Sequence, residues 1–425
     1  MSHTIIQTTD EAPAALDHEL QPFFRELAQF SSTRALREST LYQALGPEIE
    51  RVLGSVVQES FALEAARRGA FTRVPCMPVR ATAWNIERGI RLPGIIRVLQ
   101  EHAAISESDL LLLTELDYGM ARTGNLFVAR EIASALRFNY VFAPCYIALT
   151  KGSGVEVEVT GENTQALHGN ALLSRYPLER AHSIALPNGK DKLQGKEKRL
   201  GCQRAVVADV LHPRGTFRAV SLHLDAHSTQ RHRHRQMKLV LDHLDRLRPS
   251  LPVVIGGDWN TSTYNSSRAL YSILGFWRRV MMGVGHFITN HYPYPDRWFE
   301  RHLFRELEAR GWNYKELNEP GGCTLHYDVR DIAVNRNMAD WVPQWCFWFL
   351  NRALEKHQGR ASLKLDWFAG KRIAADPRHP PTVVHDLSDA QGRLSDHDAI
   401  VLDFTPANSG DGCQVSGAGS YFPDT

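Results

Sequence analysis

Residues 110–117 read Leu-Leu-Leu-Leu-Thr-Glu-Leu-Asp. Four consecutive leucines, with no polar residue between them, are typical of a strand that is buried on both faces of a sheet. Glu115 follows at the point where the apolar run stops. The stretch therefore predicts a central strand that carries a carboxylate to one end of a sheet.

Further apolar segments also meet polar side chains. They read Ala-Thr-Ala-Trp-Asn-Ile-Glu (81–87), Val-Ser-Leu-His-Leu-Asp (220–225), Pro-Val-Val-Ile-Gly-Gly-Asp-Trp-Asn (252–260) and Leu-Lys-Leu-Asp-Trp-Phe (363–368). Ser-Asp-His (395–397) instead precedes an apolar run. The two glycines allow a sharp turn before Asp258. The repetition predicts one sheet end that is lined by carboxylates, amides and imidazoles.

Each polar residue taken singly also has a structural interpretation. A carboxylate after an apolar run commonly forms a turn or caps a helix. That interpretation does not explain why several clusters share one arrangement. Carboxylate and amide oxygens suit Mg²⁺ or Mn²⁺, which bind through one or two carboxylates, water and substrate phosphate. Phosphoryl transfer is the reaction that such a set serves.

In this order the motifs resemble the endonuclease/exonuclease/phosphatase superfamily, which has the deoxyribonuclease-like fold. The resemblance runs from about residue 79 to residue 404, apart from a long segment before Asp366. It rests on Trp-Asn-Ile-Glu, Leu-Thr-Glu, His-Gly-Asn-Ala-Leu-Leu-Ser (168–174), Ser-Leu-His-Leu, Gly-Asp-Trp-Asn, Leu-Asp-Trp and Ser-Asp-His. It implies an α/β fold: a four-layer α/β sandwich with two packed mixed β-sheets flanked by helices.

The resemblance also implies which residues hold the metal and the substrate. Glu115 would be the main ligand of Mg²⁺ (or Mn²⁺), with Asn85 beside it and Asp396 nearby or bound through water. Asn170 would help to orient the phosphate. Independently of the resemblance, Arg199 at the end of a mixed-charge loop is a candidate for contacting the phosphate, with Arg204 as the alternative.

Five residues are predicted to be catalytic by the same resemblance. Asp258 and Asn260 would hold and polarise the attacking water and a phosphate oxygen. His223 would contact the scissile phosphate from the opposite side. His397, paired with Asp366, would act as a base or as a hydrogen-bond donor to the phosphate. Families within the superfamily differ over which of Asp258 and His397 is the general base, so both alternatives stay open.

Composition is that of an ordinary enzyme. The 425 residues are 43% hydrophobic, and 49 basic against 47 acidic residues leave a net charge of only +2. This balance argues against a protein that coats nucleic acid through a basic field, without excluding a nucleic-acid substrate. Six scattered cysteines argue against a zinc ribbon or a dense disulfide scaffold. No signal peptide or run of about 18 apolar residues is evident, so we expect a cytoplasmic protein.

Three segments are predicted around the catalytic core. Residues 1–78 carry apolar residues at helical spacing and predict an N-terminal helical extension of the catalytic domain, which spans 79–405. Residues 406–425 predict a flexible tail. Residues 264–362 form a Trp-rich insertion, whose aromatics would stack unpaired bases, meet a lipid or hydrophobic headgroup, or simply bury against the sheet.

A basic run at 231–238 precedes apolar residues at helical spacing. We expect a helix that begins near Thr229, with the basic residues as its solvated face, rather than a set of phosphate contacts.

Two catalytic classes and one binding class follow. The chain is predicted to be a divalent-metal-dependent phosphodiesterase or nuclease that acts on a phosphoester, with nucleic acid the commonest substrate in the superfamily. The alternative is a phosphatase or sphingomyelinase-like diesterase for a small phosphorylated metabolite or lipid headgroup, which would include peripheral lipid contact. A non-catalytic binding member is the third class. The sequence does not specify the oligomeric state.

Overall fold

The computed structural model of the chain describes residues 4–6, 13–62, 78–261, 284–328, 352, 354–355 and 359–407. The predicted tail beyond residue 407 lies outside these residues, and so do four tryptophans of the insertion: Trp277, Trp341, Trp345 and Trp348.

Two large mixed sheets form the core of the fold. The larger sheet consists of β1 (Thr4–Ile6), β2 (Val56–Ser60), β3 (Val79–Arg88), β4 (Leu110–Tyr118), β5 (Asn139–Ala148), β6 (Leu167–Ser174), β8 (Arg199–Gly201), β15 (Ile373–Ala375), β16 (Thr382–Val384) and β19 (Ala399–Pro406). Its strand order is β1-β2-β5-β6-β4-β3-β19-β15, with β8 on β5 and β16 on β19.

The smaller sheet has the order β14-β11-β10-β9-β7. Its strands are β7 (Leu178–Leu186), β9 (Gln203–Val210), β10 (Phe217–Ser221), β11 (Val253–Asp258) and β14 (Asp366–Lys371). Two separate hairpin-like pairs accompany it: β12 (Leu325–Asp328) with β13 (Arg360–Leu363), and β17 (Ser388–Asp389) with β18 (Gly392–Arg393).

Helices cover the outer faces of both sheets. The described α-helices are α1 (Phe24–Leu27), α2 (Thr33–Arg37), α3 (Thr40–Gly54), α4 (Leu92–Glu101), α5 (Val128–Leu136), α6 (Gln230–Arg246), α7 (Val284–Asn290), α8 (Pro295–Trp298) and α9 (Arg301–Ala309). Short 3₁₀ helices cover Pro13–Leu16, Gln21–Phe23, Ala121–Thr123, Gly154–Glu158 and Lys192–Gln194. Helices α3 to α5 lie on the larger sheet, and α6 and α9 on the smaller one.

The leucine run shows why the chain forms four layers. Leu110 and Leu112 lie in the apolar cluster between the two sheets, whereas Leu111 and Leu113 lie in the cluster under the outer helices. Successive side chains of a strand point to opposite faces, so a central strand covered on both sides needs apolar residues at every position. The predicted four-layer α/β sandwich is confirmed.

Strand direction explains why the polar ends meet. β3 runs parallel to β4 in one sheet, and β10 runs parallel to β11 in the other. β14 is antiparallel to β11, with Asp366 opposite Asp258. β19 is antiparallel to β3, so the residues that enter β19 lie beside the residues that leave β3. Both sheets therefore present their predicted site residues at the same edge.

The N-terminal extension is only partly helical. Helices α2 and α3 agree with the helical spacing, but the prediction of an all-helical segment is wrong for β2, which pairs antiparallel with β5 inside the larger sheet. Val56 belongs to the apolar cluster between the sheets and Val57 to the outer one. β-branched residues that are buried on alternate faces favour a strand over a helix.

The helix predicted near Thr229 is α6, and the hydroxyl of Thr229 accepts the backbone N–H of His232 at 3.1 Å. The prediction of a wholly solvated basic face is wrong for Arg233. Its side chain is fully buried, and its Nε donates to Oε1 of Glu300 at 2.8 Å. Helical periodicity places Arg233 on the same face as the buried Met237, so its charge needs a buried partner. This ion pair attaches the insertion to α6.

In the described part of the insertion, aromatic rings pack against the smaller sheet. The ring of Phe304 on α9 lies 4.6 Å from those of Tyr314 and Trp367, and Trp367 stacks with Trp259 at 6.3 Å. Trp312 is buried in the same cluster. These rings contribute to the core, whereas Trp298 on α8 is 52% exposed. No helix within the described ranges is both long and apolar enough to cross a membrane.

Candidate active site

Predicted catalytic side chains and Asn85, predicted as a metal ligand, meet around one oxygen, Oδ2 of Asp258. Nδ2 of Asn85 lies 3.2 Å from this oxygen, Nε2 of His223 lies 3.4 Å from it and Nε2 of His397 lies 3.8 Å from it. Nδ1 of His397 lies 2.7 Å from Oδ2 of Asp366. Five separate strand ends supply these side chains, so the fold itself assembles the cluster.

Gly257 directs Asp258 into the cluster. The φ of Gly257 is +137°, and a Cβ atom at this position would lie 2.2 Å from the carbonyl oxygen of Leu222. Only glycine permits both this dihedral and so close an approach of two strands. Asn260 donates its backbone N–H to Oδ1 of Asp258 at 2.8 Å and its side-chain amide to the carbonyl oxygen of Leu224 at 2.9 Å. Asn260 thus holds the carboxylate in place, and its predicted contact with water stays a prediction.

Two hydrogen bonds tie the Ser-Asp-His segment to β3, and a third lies within the segment. The hydroxyl of Ser395 donates to the carbonyl oxygen of Asn85 at 2.6 Å and accepts the backbone N–H of His397 at 3.1 Å. The indole N–H of Trp84 donates to the carbonyl oxygen of His397 at 2.9 Å. These bonds fix the backbone from which the His397 ring reaches the cluster.

His397 and Asp258 have shifted pKa values with different causes. Burial alone would lower the pKa of His397, but the carboxylates of Asp366 and Asp258 outweigh burial and raise it well above its usual value. Burial raises the pKa of Asp258 to about 6, and Asp366 adds to this effect while His397 opposes it. The two carboxylates therefore favour the protonated form of the imidazole, and burial favours the protonated form of Asp258 more than in a free aspartate.

Glu115 lies beside this cluster, at an irregular end of β4. Its φ is +57°, and the register between β4 and β6 shifts next to it. Oε1 of Glu115 accepts from Nδ2 of Asn85 at 3.2 Å, and its backbone N–H donates to Oδ1 of Asn170 at 3.3 Å. A residue held in the left-handed region by a packed sheet commonly marks a functional position.

The charge of Glu115 is maintained by its neighbours. Burial alone would raise the pKa of this carboxyl, but the positive charge of Arg88 and the ring of His223 outweigh burial and bring its pKa below the usual range. Glu115 is therefore ionised throughout the physiological pH range.

Glu87 is a site residue that sequence reasoning missed. Its Oε2 accepts the backbone N–H of Asp396 at 3.1 Å. Burial, with the negative charge of Asp396 second, raises the pKa of Glu87 to about 7. Its only signal in the sequence is the last position of Trp-Asn-Ile-Glu. Glu87 and Arg88 both have positive φ, at +45° and +67°, and this kink turns the end of β3 toward the entrance of β19.

A buried ion-pair network supports Arg88. Its Nε lies 3.3 Å from Oε1 of Glu156. Arg122, whose side chain is 1% exposed, contacts Asp117 at 2.7 Å and both Glu156 and Glu197 at 3.1 Å. Buried charges of this kind need paired partners, and the network supplies them across distant segments. Sequence reasoning missed these residues because nothing in their spacing connects them.

The two predicted substrate-binding residues have protein partners. Asn170 is buried on β6, where it accepts from the backbone of Glu115 and donates to a backbone carbonyl oxygen of β9 at 2.8 Å. Arg199 pairs with Glu197, and its guanidinium lies 5.6 Å from the ring centroid of Tyr146. Asn170 thus positions the backbone of Glu115, and direct contact of either residue with substrate stays a prediction.

Glu87, Glu115 and Asp396, here called the carboxylate set, lie beside the cluster around Asp258. Their carboxylate oxygens are the hard donors that Mg²⁺ and Mn²⁺ prefer, and besides burial, the charges of Asp396 and Glu115 both raise the pKa of Glu87, a repulsion that a cation would relieve. Asn85 turns Nδ2 toward Glu115 and accepts the Glu87 backbone N–H through Oδ1 at 3.1 Å, so its direct ligation stays a prediction.

Asp258, Asp366 and His397 also offer ligand atoms close enough together to hold a cation. However, Oδ2 of Asp366 lies at hydrogen-bond distance from Nδ1 of His397, and an imidazolium repels a cation. This trio is better suited to hydrogen bonding and proton transfer.

The model of the Endonuclease/Exonuclease/phosphatase family matches residues 82–397. Among solved structures, the fold is similar to an endonuclease/exonuclease/phosphatase from Beutenbergia cavernae (14% identity, 78% of this chain and 72% of that chain, TM-score 0.45). It is also similar to a 3'-5' exonuclease from Neisseria meningitidis, with 16% identity over 77% of this chain and 99% of that chain and a TM-score of 0.43. A third similar structure is the human Nocturnin catalytic domain, with 16% identity over 78% of this chain and 95% of that chain and a TM-score of 0.39. No curated protein sequence matches. With more than half of its length matched, the chain belongs to the Endonuclease/Exonuclease/phosphatase family.

Proposed function

We propose that this protein is a divalent-metal-dependent hydrolase that cleaves phosphodiesters, of the phosphodiesterase or nuclease type. The observation that carries the proposal is the convergence of imidazole, amide and carboxylate groups on Oδ2 of Asp258, with a separate carboxylate set beside it. The first group suits proton transfer and phosphate binding, and the second suits a metal ion. Together they would activate a water molecule and neutralise charge on the phosphate, the two requirements of phosphodiester hydrolysis.

Glu115, Glu87 and Asp396 are the residues that would hold Mg²⁺ or Mn²⁺. When bound, the ion would neutralise charge on the phosphate oxygens and on the leaving oxygen. Asp396 lies next to His397 in the chain, so the carboxylate set adjoins the proton-transfer group.

Asp258 is the proposed general base. Its raised pKa of about 6 leaves it ionised at neutral pH yet basic enough to accept a proton from water at Oδ2. His397 is already protonated at neutral pH, so it would donate from Nε2 to a phosphate oxygen, while Asp366 holds Nδ1. This division of roles uses the opposite charges that the structure supports on the two groups.

His223 would contact the phosphate from the other side of Asp258. Its Nε2 lies 3.4 Å from Asp258 and 4.0 Å from Glu115, between the proton-transfer group and the carboxylate set. Its Nδ1 is buried with no hydrogen-bond partner among the described residues. A buried polar nitrogen without a partner commonly marks the place of a water molecule or an ion, and a bound phosphate would supply such a partner here.

The experiment compares bis(4-nitrophenyl) phosphate with 4-nitrophenyl phosphate in the presence of Mg²⁺ or Mn²⁺. We expect turnover of the diester that is lost on chelation and lost in Glu115→Gln. The control variant is His379→Ala, which removes a surface imidazole paired with Asp376 and should retain full turnover. Turnover that survives in Glu115→Gln, or no turnover of either ester with either metal, would contradict the proposal.

Natural substrates then separate the classes. Plasmid and single-stranded oligonucleotide test a nuclease, sphingomyelin tests a lipid diesterase, and inositol phosphates test a small-molecule phosphatase. Cleavage of the oligonucleotide with no release from the other substrates would support the nuclease type. Release only from a monoester would replace the proposal with a phosphatase.

A further inference from the structure

Asp258, Asp366 and His397 are here called the catalytic cluster. A second group of histidine and carboxylate side chains includes Asp398, the residue after His397, but contacts other residues. Oδ2 of Asp398 lies 2.8 Å from Nε2 of His326 and 2.6 Å from Nδ1 of His385. The three ligand atoms lie within 4.8 Å of one another. The three residues come from β12, from the loop after β16 and from the entrance of β19.

This group is separate from the catalytic cluster. His397 and Asp398 are consecutive residues in extended backbone, so their side chains point to opposite sides. His397 contacts Asp366 and Asp258, whereas Asp398 contacts His326 and His385.

The group has the supporting contacts that a metal site requires. Ser362 Oγ lies 2.7 Å from Nδ1 of His326, which orients that ring with Nε2 toward Asp398. Arg393 donates to Oδ1 of Asp398 at 2.5 Å, so the carboxylate keeps Oδ2 for the two imidazoles. Hydrogen bonds from neighbouring residues to the ligand side chains orient those ligands in metal sites. The Asp398 side chain is 1% exposed and that of His385 is 46% exposed, which leaves a path for an ion to enter.

We propose that His326, His385 and Asp398 form a second metal site, which binds Zn²⁺ or a similar divalent transition metal. Two imidazoles and one carboxylate are the donors that Zn²⁺ prefers, with bonds of about 2.0–2.2 Å and water completing a tetrahedron. Such bonds place neighbouring ligand atoms roughly 3.3 Å apart, so a small outward shift of the rings admits the ion. Mg²⁺ favours oxygen donors and would remain at the carboxylate set.

The proposed site would act as a structural clamp. It joins β12 to the entrance of β19, and Leu325 of β12 forms a bridge with His397 while the backbone N–H of Asp398 donates to Thr324 at 2.7 Å. An ion at this place would fix the segment that carries His397 without touching the reacting groups. The inference does not depend on the proposed hydrolase activity.

The test uses Glu87→Gln/Glu115→Gln, which removes two carboxylates of the carboxylate set, and the loss of bound metal on further substitution of His385 assigns that metal to the second site. The metal-free protein is given Zn²⁺ or Co²⁺ and separated from free ion, and bound metal is measured by elemental analysis. We expect one equivalent per chain and the visible absorption of tetrahedral Co²⁺. Both signals should disappear on further substitution with His385→Asn, which keeps a hydrogen-bond donor beside Asp398 but removes the imidazole ligand.

His379→Ala, in the same background, is the matched control. His379 is also a half-exposed histidine beside a carboxylate, at 2.9 Å from Asp376, and should keep the full equivalent. If the background variant binds no metal, or if His385→Asn keeps its equivalent, the second site does not exist. His326→Ala provides an independent removal of a ligand, with the same expected loss.

Discussion

His397 and Asp398 are neighbours in the chain, yet they belong to two histidine–aspartate clusters with different environments. The His397 side chain is 5% exposed and its partner Asp366 is fully buried, with a third charged group, Asp258, beside them. Asp398 is buried too, but its histidines His326 and His385 are open to solvent. We propose that the same two residue types serve proton transfer in one cluster and metal binding in the other.

The difference lies in how many charges each cluster buries. In the catalytic cluster, one imidazole lies between the carboxylates of Asp366 and Asp258, which raises the pKa of His397 and favours its charged form. In the outer cluster, one carboxylate is shared by two imidazoles and by Arg393, so Asp398 is already surrounded by hydrogen-bond donors. Partner number and burial, rather than residue type, distinguish the two environments.

Removing the two histidines in turn should give the largest contrast. His397→Ala should lower kcat for the diester by about 10³-fold or more, because it removes the group placed to donate a proton to the phosphate. His385→Ala should change kcat by less than about tenfold, because it acts only through the supporting contacts of Asp398. Steady-state kinetics on folded variants, checked by circular dichroism, measures both effects. Equal losses in the two variants would remove the functional distinction between the clusters.

A smaller loss is expected when the aspartate partner is changed. Asp366→Asn leaves the His397 ring in place but removes the charge that stabilises its protonated form, and we expect kcat to fall about 100-fold. Asp398→Asn is the matching change in the outer cluster and should leave kcat nearly unchanged while abolishing Zn²⁺ binding. An Asp366→Asn enzyme with normal kcat would show that the carboxylate merely fills space.

The catalytic cluster also depends on the strained backbone at Gly257, which positions Asp258. Gly257→Ala would place a Cβ against Leu222 at a φ of +137°, and we expect it to cost about 2 kcal/mol of unfolding free energy and to displace Asp258. Gly124→Ala is the control, since Gly124 has a φ of +66° but no heavy atom within 4 Å of the position that a Cβ would take, so about 1 kcal/mol is expected. Chemical denaturation measures both. Similar costs would mean that the strands near Leu222 relax.

His212 supplies a third environment and the smallest effect. This ring packs on Tyr176 and Phe217, and burial, with the charge of Arg214 second, lowers its pKa to about 4. Because its pKa in the folded state lies below the ordinary value, stability is complete above about pH 6.5 and is lost as the pH falls toward 4. We expect a loss on the order of 1 kcal/mol between pH 7 and pH 5, after allowance for solvent screening.

Thermal melts of the wild type and of His212→Gln across this pH range test the expectation. The variant should lose less stability on acidification than the wild type does. If both proteins lose the same stability on acidification, groups other than His212 control the loss at low pH.

Much of the site was predictable because each motif is a short local pattern at the end of a strand. The positions of Asn85, Glu115, His223, Asp258 and His397 after or before apolar runs predict one polar sheet end, and the family resemblance implies their roles. Strand direction brings all of them to one edge. The β2 strand was missed because a short amphipathic segment next to a helix has no clear period of its own. Arg233 was assigned to solvent because a basic run gives no sign of a distant acidic partner.

The sequence alone determined that the strand of the leucine run is buried on both faces, because only such a strand needs an apolar residue at every position, and the order of the motifs implied the layered architecture through the family resemblance. It also indicated phosphoryl transfer, since carboxylates, amides and imidazoles at strand ends suit a divalent metal and a phosphate. Only the tertiary structure decided that Glu87 faces Asp396, which is 309 residues away in the chain, and that Asp398 turns from its neighbour His397 toward His326. Burial and charge pairing across such separations depend on packing, and no local pattern encodes them.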